Sequence, residues 1–248
     1  MLQGDKEMDI KALKNDLLKE YRYRTELHAH TSPASSCSEV SPEDVVVIYK
    51  NLGYDAVTIA NHFSFNYQDS DKQTVLDRFF GDFERAKKKG DEIGINVILA
   101  AEIRFTENDN DYLIYGVTRK MMEEIYDLLS FGVDNFRRVY AMPDSVFLQA
   151  HPFREGMVRA NPEILDGIEV FNLHPNHNSR VGIAAVYAKE NSFSIVTAGS
   201  DFHHINRKHE GVSAILTKTL PCESFDIADI LKSGDYLLEA GRNNIIIP

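Results

Sequence analysis

The chain has 248 residues, of which 43% are hydrophobic and 26% are charged, as is usual for a globular protein. This length suits one large α/β barrel or at most two small domains, and because no linker-like segment divides the chain we predict a single domain over 1–248. The net charge of −11 and the lack of a basic stretch with interleaved aromatic residues argue against nucleic-acid binding. No apolar stretch is long enough for a membrane span and the two cysteines are far apart, so we expect a cytoplasmic protein without a disulfide.

Predicted helices and strands alternate along the chain. The first is a lead-in helix within residues 1–22. Ser41-Pro42 followed by two acids predicts a helix start, and Gly53 predicts its end. A charged helix is expected from about 71 to 89, ending at Gly90, and later helices are expected at 119–129, between 171 and 194, and at 226–231. Short apolar strands are predicted at 24–27, 56–60, 97–101, 112–115, 146–150, 167–171, 194–198 and 212–216.

This alternation predicts an α/β fold with parallel strand pairing, either in a closed barrel or in a doubly wound sheet. A glycine-rich phosphate loop after the first strand would indicate a dinucleotide-binding sheet, and this sequence has none there. We therefore favour the barrel.

Histidines and carboxylates fall at the C-terminal ends of the predicted strands. In a parallel barrel those ends lie on one face, where the active site is found. A mixture of imidazole and carboxylate suits Zn, Mn or Fe, and without a metal the burial of so many such groups would carry a large desolvation cost. The predicted metal ligands are His28, His30, His62, Glu102, His151, Asp201 and His203. Glu169 lies within a strand and could face either the barrel interior or a helix, and the set excludes His174, His177, His204 and His209.

These residues stand in motifs that resemble the PHP (polymerase and histidinol phosphatase) family. The motifs are Glu26-Leu27-His28-Ala29-His30-Thr31, Asn61-His62, Ala101-Glu102-Ile103, Ala150-His151-Pro152-Phe153-Arg154 and Gly199-Ser200-Asp201-Phe202-His203. The resemblance covers about 24–216 and implies a distorted (β/α)7 barrel, one to three metals and phosphoester hydrolysis by a stand-alone enzyme. It implies one metal on His28, His30, Glu102 and Asp201, a second shared by Glu102 and His151, and a third on His62 and His203.

The sequence departs from the family pattern at three places. Asn61 replaces the usual Asp, Leu113 stands where the family has a His, and the stretch 32–37 lacks the Asp or His that the family places there. Cys37, Asp109, Asp111 or water are the possible substitutes. These departures favour one or two metals over three, and they motivate an alternative hypothesis of a degenerate, non-catalytic barrel that binds metal or a phosphorylated ligand.

For an active enzyme we predict hydrolysis of a small phosphomonoester or nucleotide-type substrate by metal-activated water. Arg154 is the first candidate for a phosphate clamp and Arg180 is the second. His62 or His203, where not bound to metal, would protonate the leaving group. Two further alternatives are a metal-dependent amidohydrolase, which also opens with His-x-His, and a nuclease for single-stranded ends, which the acidic composition disfavours.

Overall fold

The computed structural model describes residues 10–65, 71–205, 211–241 and 243–248, and within these ranges helices and strands alternate. The α helices are α1 (Ile10–Glu20), α2 (Pro42–Asn51), α3 (Lys72–Ile93), α4 (Arg119–Leu128), α5 (Val133–Val139), α6 (Val181–Glu190) and α7 (Ser224–Ser233). The strands are β1 (Tyr23–Ala29), β2 (Ala56–Ile59), β3 (His62–Phe63), β4 (Asn96–Leu99), β5 (Ala101–Arg104), β6 (Asp111–Tyr115), β7 (Val146–Gln149), β8 (Gly167–Asn172), β9 (Ile195–Gly199), β10 (Ser213–Thr217), β11 (Leu237–Ala240) and β12 (Ile245–Ile246).

The strands pair into two six-stranded sheets, in the orders β12-β11-β10-β1-β2-β4 and β3-β5-β6-β7-β8-β9. Neighbours are parallel from β1 through β2 to β4, from β3 to β5, and from β7 through β8 to β9. The pairs β1–β10, β10–β11, β11–β12, β5–β6 and β6–β7 are antiparallel, so the prediction of parallel pairing is wrong for these five pairs. Between β5 and β6 the reason is the short connection, 105–110, which cannot make the long crossover that parallel strands need.

Helix α2 begins and ends at the residues that predict it. The Ser41 side chain accepts a hydrogen bond from the backbone N–H of Asp44, and Pro42 occupies the first turn. Gly53, just beyond the helix, has a φ of 78°, a conformation that glycine adopts without a steric penalty. This cap and stop place the following strand, β2, beside β1.

Helix α3 runs further than predicted. It continues to Ile93 and is capped by Gly94, whose φ is 74°, so the prediction that it ends at Gly90 is wrong. Gly90 instead allows close packing, because a Cβ at this position would lie 2.6 Å from both the Ile95 carbonyl oxygen and Val97 Cγ2.

Side chains of both sheets meet in one apolar cluster. Leu27 of β1 and Leu238 of β11 come from the first sheet, and they pack with Leu113 of β6, Leu148 of β7 and Ala198 of β9 from the second. All five are fully or almost fully buried. The cluster therefore fills the space between the two sheets and supports the strand ends above it.

Helix α1 lies in the segment where the lead-in helix is predicted, and residues 1–9 of that segment are outside the described ranges. Leu17 and Leu18 are half-buried and pack against the apolar cluster beneath this helix. Among the described helices, none combines the length and the apolar character that crossing a membrane requires.

Candidate metal centre

All seven predicted ligands come together at one place. His28 lies in β1, His62 in β3 and Glu102 in β5, whereas the others follow the ends of β1, β7 and β9. Except for His62, whose side chain is 28% exposed, every one of them is buried. The convergence arises because five chain segments end at the same edge of the strands, and its members are His28, His30, His62, Glu102, His151, Asp201 and His203.

Glu102 is the centre of the cluster. Its Oε1 lies 3.3 Å from His28 Nε2 and 3.1 Å from His151 Nε2. Its Oε2 lies 3.3 Å from His30 Nε2 and 2.9 Å from His62 Nδ1. Glu102 lies within β5, although the sequence predicts it just after a strand, because pairing is interrupted at residue 100 and resumes at residue 101. One carboxylate thus touches four imidazoles, as a bridging ligand would.

Asp201 presents its two oxygens to different partners. Oδ1 lies 3.3 Å from His30 Nε2 and 3.6 Å from His28 Nε2. Oδ2 accepts hydrogen bonds from Arg154 Nη2 and, at 3.3 Å, from Asn172 Nδ2. One oxygen is therefore held by hydrogen-bond donors while the other faces the imidazoles.

Two residues of the cluster have an unusual backbone conformation. The φ of His151 is 28° and that of Asp201 is 53°, both in the left-handed region that non-glycine residues seldom adopt. Such a conformation costs about 1–3 kcal/mol per residue and is found most often at functional sites. The fold therefore tolerates strain where these two side chains turn into the cluster.

The ring of His28 is oriented by Glu169. His28 Nδ1 lies 2.8 Å from Glu169 Oε1, and the other carboxylate oxygen accepts from Asn172 Nδ2 at 2.9 Å and from the His151 N–H at 3.1 Å. Because a carboxylate only accepts, Nδ1 of His28 carries a proton, and Nε2 is the ring nitrogen that faces the cluster. Of the two directions that the sequence leaves open for Glu169, the structure has the inward one. Gly199 makes room for the pair, since a Cβ there would lie 2.2 Å from Glu169 Oε1.

His30 is oriented in the same way by a hydroxyl group. Ser35 Oγ donates to Asn61 Oδ1 at 2.9 Å and accepts from the backbone N–H of His62 at 2.9 Å. Its single hydrogen is thus committed, so at 3.0 Å it accepts from His30 Nδ1, and His30 Nε2 keeps its lone pair. Asn61 also accepts from the N–H of Thr31 at 2.7 Å. Asn61 therefore supports the ligands and does not itself point at the cluster.

Burial and mutual charge shift the pKa values of the cluster in opposite directions. Burial lowers the pKa of His28, but the carboxylates of Glu169, Glu102 and Asp201 outweigh it and raise the pKa well above its usual value. Burial, together with the neighbouring imidazoles His203 and His62, holds the pKa of His30 well below its usual value. Burial opposes ionisation of Glu102 and Asp201, yet the imidazoles around them lower both pKa values, so both carboxylates are ionised at neutral pH.

The donor set fits a divalent metal. Two buried atoms of the cluster, His28 Nε2 and His30 Nε2, have no hydrogen-bond partner among the described residues. They belong to sets of ligand atoms that lie within 4.8 Å of one another. A buried polar atom without a partner costs about 1–3 kcal/mol, and a cation among these atoms would remove that cost. Nitrogen and carboxylate oxygen are the ligands that Zn, Mn and Fe accept.

Leu113 provides no ligand. It pairs with Glu102 across the antiparallel β5–β6 ladder and is fully buried in the apolar cluster between the sheets. Asp111, two residues earlier in β6, does reach the centre: its Oδ2 lies 3.8 Å from His151 Nε2. Both oxygens of Asp111 also accept from Arg104, from Nε and Nη2 at 2.7 Å each. Asp111 is therefore a possible ligand that already has a cationic partner.

Cys37 lies beside two of the histidines, but Asp109 does not. Cys37 Sγ is 3.0 Å from His203 Nε2. Burial raises the pKa of the Cys37 thiol, but hydrogen bonding with His203 and His62 outweighs it and lowers the pKa to about 6. The side chain of Asp109 is 74% exposed and lies 3.8 Å from Arg104 Nη1. Of the substitutes named from the sequence, Cys37 and Asp111 thus reach the cluster.

Two clefts lined by arginines open beside the cluster. The smaller, of about 280 Å³, is lined by Cys37, His62, Arg78 and Arg104 among others. The larger, of about 500 Å³, is lined by a set that includes His177, Arg104, Arg154 and Arg180. Sequence reasoning missed Arg78 and Arg104, although Arg104 is two residues from Glu102 in the same strand, and alternation along a strand predicts that both face one side.

The two predicted phosphate-binding arginines differ in position. Arg154 is largely buried, and its Nη2 donates to Asn172 Oδ1 at 2.9 Å and to Asp201. Arg180 is exposed, and its Nη1 donates to the carbonyl of Phe153 at 2.7 Å. Arg154 therefore lies at the cluster, and Arg180 lies at the rim of the larger cleft.

Among the histidines outside the predicted set, one is close to the cluster. His174 is buried, and its ring centroid is 5.6 Å from that of His203 and 4.4 Å from that of His177. His204 is half-buried and lies 3.4 Å from a Glu39 carboxylate oxygen. His209 is outside the described residues. The loop after β8, which carries His174, has no periodicity from which its position could be predicted.

Comparisons with known proteins find similarity in structure only. No protein-family model and no curated protein matches the sequence. Among solved structures, a two-domain protein of Bacteroides vulgatus that contains a predicted PHP-like metal-dependent phosphoesterase has a TM-score of 0.59 and 16% identity, over 88% of this chain and 65% of that protein. PsfC of Pseudomonas syringae PB-5123 has a TM-score of 0.55 and 14% identity, over 82% and 86%.

A third structure, described only as a candidate metal-dependent phosphoesterase of Bifidobacterium adolescentis, has a TM-score of 0.47 and 17% identity, over 84% of this chain and 95% of that one. At these identities the similarity concerns the fold. The resemblance to PHP-like proteins that the sequence motifs predict is thus confirmed at the level of the fold.

Proposed function

We propose that this chain is a metal-dependent phosphoesterase that acts on a small phosphorylated substrate. The observation that carries the proposal is a buried cluster of imidazoles and carboxylates beside two arginine-lined clefts. The cluster offers ligands for metal, and the planar guanidinium group matches the geometry of a phosphate. An uncharged amide substrate would give those arginines no anion to bind, so phosphoester hydrolysis is favoured over amide hydrolysis.

The metals would be Zn, Mn or Fe, one to three per chain. When bound, such ions supply a water of lowered pKa and neutralise charge on the phosphoryl oxygens. The first site would use His28, His30, Glu102 and Asp201, whose facing atoms are preset by Glu169, Ser35, Asn172 and Arg154. The remaining ligands are His151, which would share Glu102, and the pair His62 and His203.

Arg154 would have two tasks. Its Nη2 holds Asp201 Oδ2, which keeps Oδ1 facing the imidazoles. Its Nε is buried and has no hydrogen-bond partner among the described residues, so this donor is available to an anion in the larger cleft. Arg180 at the rim of that cleft would attract the anion before it reaches Arg154.

His62 and His203 each have two possible roles, ligand or proton donor. His62 Nδ1 lies 2.9 Å from Glu102 Oε2, and the Glu102 charge, which outweighs the effect of burial, raises the pKa of His62 well above its usual value. A protonated His62 beside the smaller cleft could pass its proton to the leaving group. One ring cannot fill both roles at once, so the number of bound metals distinguishes them.

We also propose that the two sheets act as one distorted barrel and one domain. Backbone bonds join their edges: the Ala100 and Glu102 N–H groups donate to the carbonyls of Ile59 and Asn61 at 3.0 and 3.1 Å. On the other side, the His30 N–H donates to Phe202 at 2.9 Å, and the Phe202 N–H donates to His28 at 3.1 Å. The apolar cluster shared by both sheets supports the same arrangement.

The test is an assay of purified protein supplied with Mn, Zn or Fe, on an aryl phosphate, a panel of phosphomonoesters and nucleotides, and a panel of acylated amides. We expect the protein to release phosphate, and we expect a His28→Ala variant to do so at least a hundredfold more slowly. A His204→Ala variant, which alters a half-buried histidine beside Glu39, should keep the activity. Turnover of amides alone would indicate an amidohydrolase.

The non-catalytic alternative gives a different result in the same experiment. For a degenerate barrel, elemental analysis would detect bound metal, yet the protein would release no phosphate with any metal or substrate. An arginine variant adds a second criterion. In an active enzyme, Arg154→Gln should raise the KM for phosphomonoesters and weaken inhibition by inorganic phosphate, and unchanged values would mean that Arg154 does not bind the phosphate.

A further inference from the structure

We propose that Cys37 is a metal ligand, which completes with His62 and His203 a mixed nitrogen–sulfur site. Such a site would favour Zn and chemically similar ions over Mn. The inference rests on the proposed function only insofar as the cluster binds metal. It concerns a position, 32–37, where the sequence lacks the Asp or His expected from the family resemblance.

The geometry at His203 is that of a preset ligand pair. His203 Nδ1 donates to the backbone carbonyl of Asp201 at 2.7 Å, so Nδ1 carries a proton and Nε2 is the nitrogen that points the other way. Cys37 Sγ lies 3.0 Å from that Nε2. An ion with tetrahedral Zn–S and Zn–N bonds would separate the two atoms to about 3.5 Å. Only a small movement is therefore needed to admit it.

A second observation points to a ligand at the same place. His30 Nε2 is fully buried and has no hydrogen-bond partner within the described part of the chain. It forms with His62 and His203 a set of ligand atoms within 4.8 Å of one another. The His30 ring centroid is 4.5 Å from that of His62 and 4.2 Å from that of His203. Cys37 thus lies beside two of three converging imidazoles, His62 and His203.

The loop that carries Cys37 is fixed to the same ligands. The Ser38 hydroxyl donates to the His203 carbonyl at 3.2 Å, and the Glu39 N–H donates to that carbonyl at 3.1 Å. Two residues before Cys37, Ser35 bonds His30 and the His62 N–H. The thiol is therefore held between two anchored points, and it lines the smaller cleft, from which a metal can enter.

The chemistry of sulfur decides which ions this site would prefer. Thiolate is a soft ligand that suits Zn, Co and Cd, whereas Mn and Mg prefer oxygen. A Cys37→Asp variant would replace sulfur by carboxylate oxygen. It should bind Mn at least tenfold more tightly relative to Zn than the wild type does. Equal Zn-to-Mn ratios in the two proteins would overturn the proposal.

Cobalt provides a readout that does not depend on activity. With Co²⁺ added, we expect sulfur-to-cobalt charge-transfer absorption in the near ultraviolet for the wild-type protein and for Cys222→Ser, and its loss in Cys37→Ser. Cys222 is the matched control because it is, like Cys37, a free and exposed cysteine, and its Sγ lies beside Asn96, away from the cluster. If cobalt binds without this absorption, the inference fails while the proposed function stands. If no cobalt, zinc or manganese binds, the proposed function fails as well.

Alkylation distinguishes a ligand from a free thiol–imidazole pair. Bound zinc should slow the reaction of Cys37 with iodoacetamide at least tenfold, while Cys222 in the same molecule reacts at an unchanged rate. A nucleophilic Cys37 paired only with His203 would react equally fast with and without zinc, which would overturn the proposal. Matching circular dichroism spectra of wild type and Cys37→Ser would exclude unfolding as the cause of lost absorption.

Discussion

His28 is held on one side by Glu169 and faces the metal cluster with its other nitrogen. A carboxylate behind a histidine fixes the ring and its tautomer and raises the basicity of the facing nitrogen. Glu169 is itself held by Asn172, which also contacts Asp201. Two ligands therefore depend on side chains that would touch no metal.

Replacing Glu169 by Gln should weaken metal binding by about 10–100-fold, because the amide keeps the shape but loses the charge that orients His28. Titration against a chromophoric chelator measures the change. Glu239→Gln is the matched control, since Glu239 is also largely buried and pairs with Arg24 at 2.7 Å, away from the cluster. Equal affinities of Glu169→Gln and wild type would show that His28 is positioned without this carboxylate.

A related prediction concerns the room that Gly199, which has no side chain, leaves for Glu169 and His28. A Cβ here would lie 2.2 Å from Glu169 Oε1 and 2.6 Å from His28 Cβ. Gly199→Ala should lower the unfolding free energy by about 1–3 kcal/mol and also reduce metal affinity, since the pair must move apart. Gly182→Ala meets nothing within 4 Å and should leave metal affinity unchanged. Urea denaturation and metal titration test both effects, and a neutral result for Gly199→Ala would contradict this account.

At the residue scale, the sequence predicts ligands that follow apolar strands and misses those in loops. Glu102 and His151 are predictable because each lies at the end of an apolar strand that the sequence pattern identifies. Cys37 lies in a loop, where no periodicity says whether the thiol faces His203 or solvent. Arg104 is an intermediate case, since it shares a strand face with Glu102 but its residue type alone suggests a surface position.

At the scale of elements, a glycine inside a helical pattern can either end the helix or allow close packing within it. Gly90 reads as a helix end, yet α3 continues to Ile93 because Gly90 is where the helix touches β4. Local sequence does not separate a cap from a close contact, since both require the absence of a side chain. Whether such a glycine is a cap or a close contact depends on the residue that packs against it, which here is Val97.

A second glycine in helix α3, Gly81, is the control for this contact. Gly90→Ala would place a methyl group 2.6 Å from Val97 Cγ2 and from a backbone oxygen, and it should lower the unfolding free energy by about 1–3 kcal/mol. Gly81→Ala, in the same helix, meets nothing within 4 Å and should raise that free energy by about 0.5–1 kcal/mol through helix propensity. Thermal or urea denaturation of both variants is the measurement. Stabilisation of both would mean that α3 does not pack closely at residue 90.

For the whole molecule, the predictable part is the alternation of helices and strands and the grouping of ligands at the strand ends. Strand direction is less predictable, because alternating helices suggest parallel pairing even where a short connection such as 105–110 gives an antiparallel pair. The division into two sheets cannot be predicted from the sequence, because it depends on interruptions of only two residues between β2 and β3 and one residue between β4 and β5.

Metal removal should destabilise the whole molecule, because the cluster buries charged and unpartnered groups that a cation would satisfy. An ion that binds only the folded chain stabilises it by about 4 kcal/mol at a thousandfold excess over its Kd. We therefore expect chelation to lower the urea midpoint with little change in slope, and added zinc to restore it. A His28→Ala/His30→Ala variant should show a smaller response, because the first metal site is lost, whereas His204→Ala keeps the full response. Identical midpoints with and without metal would mean that protonation of the imidazoles around Glu102 is enough to offset the cost of burying this cluster.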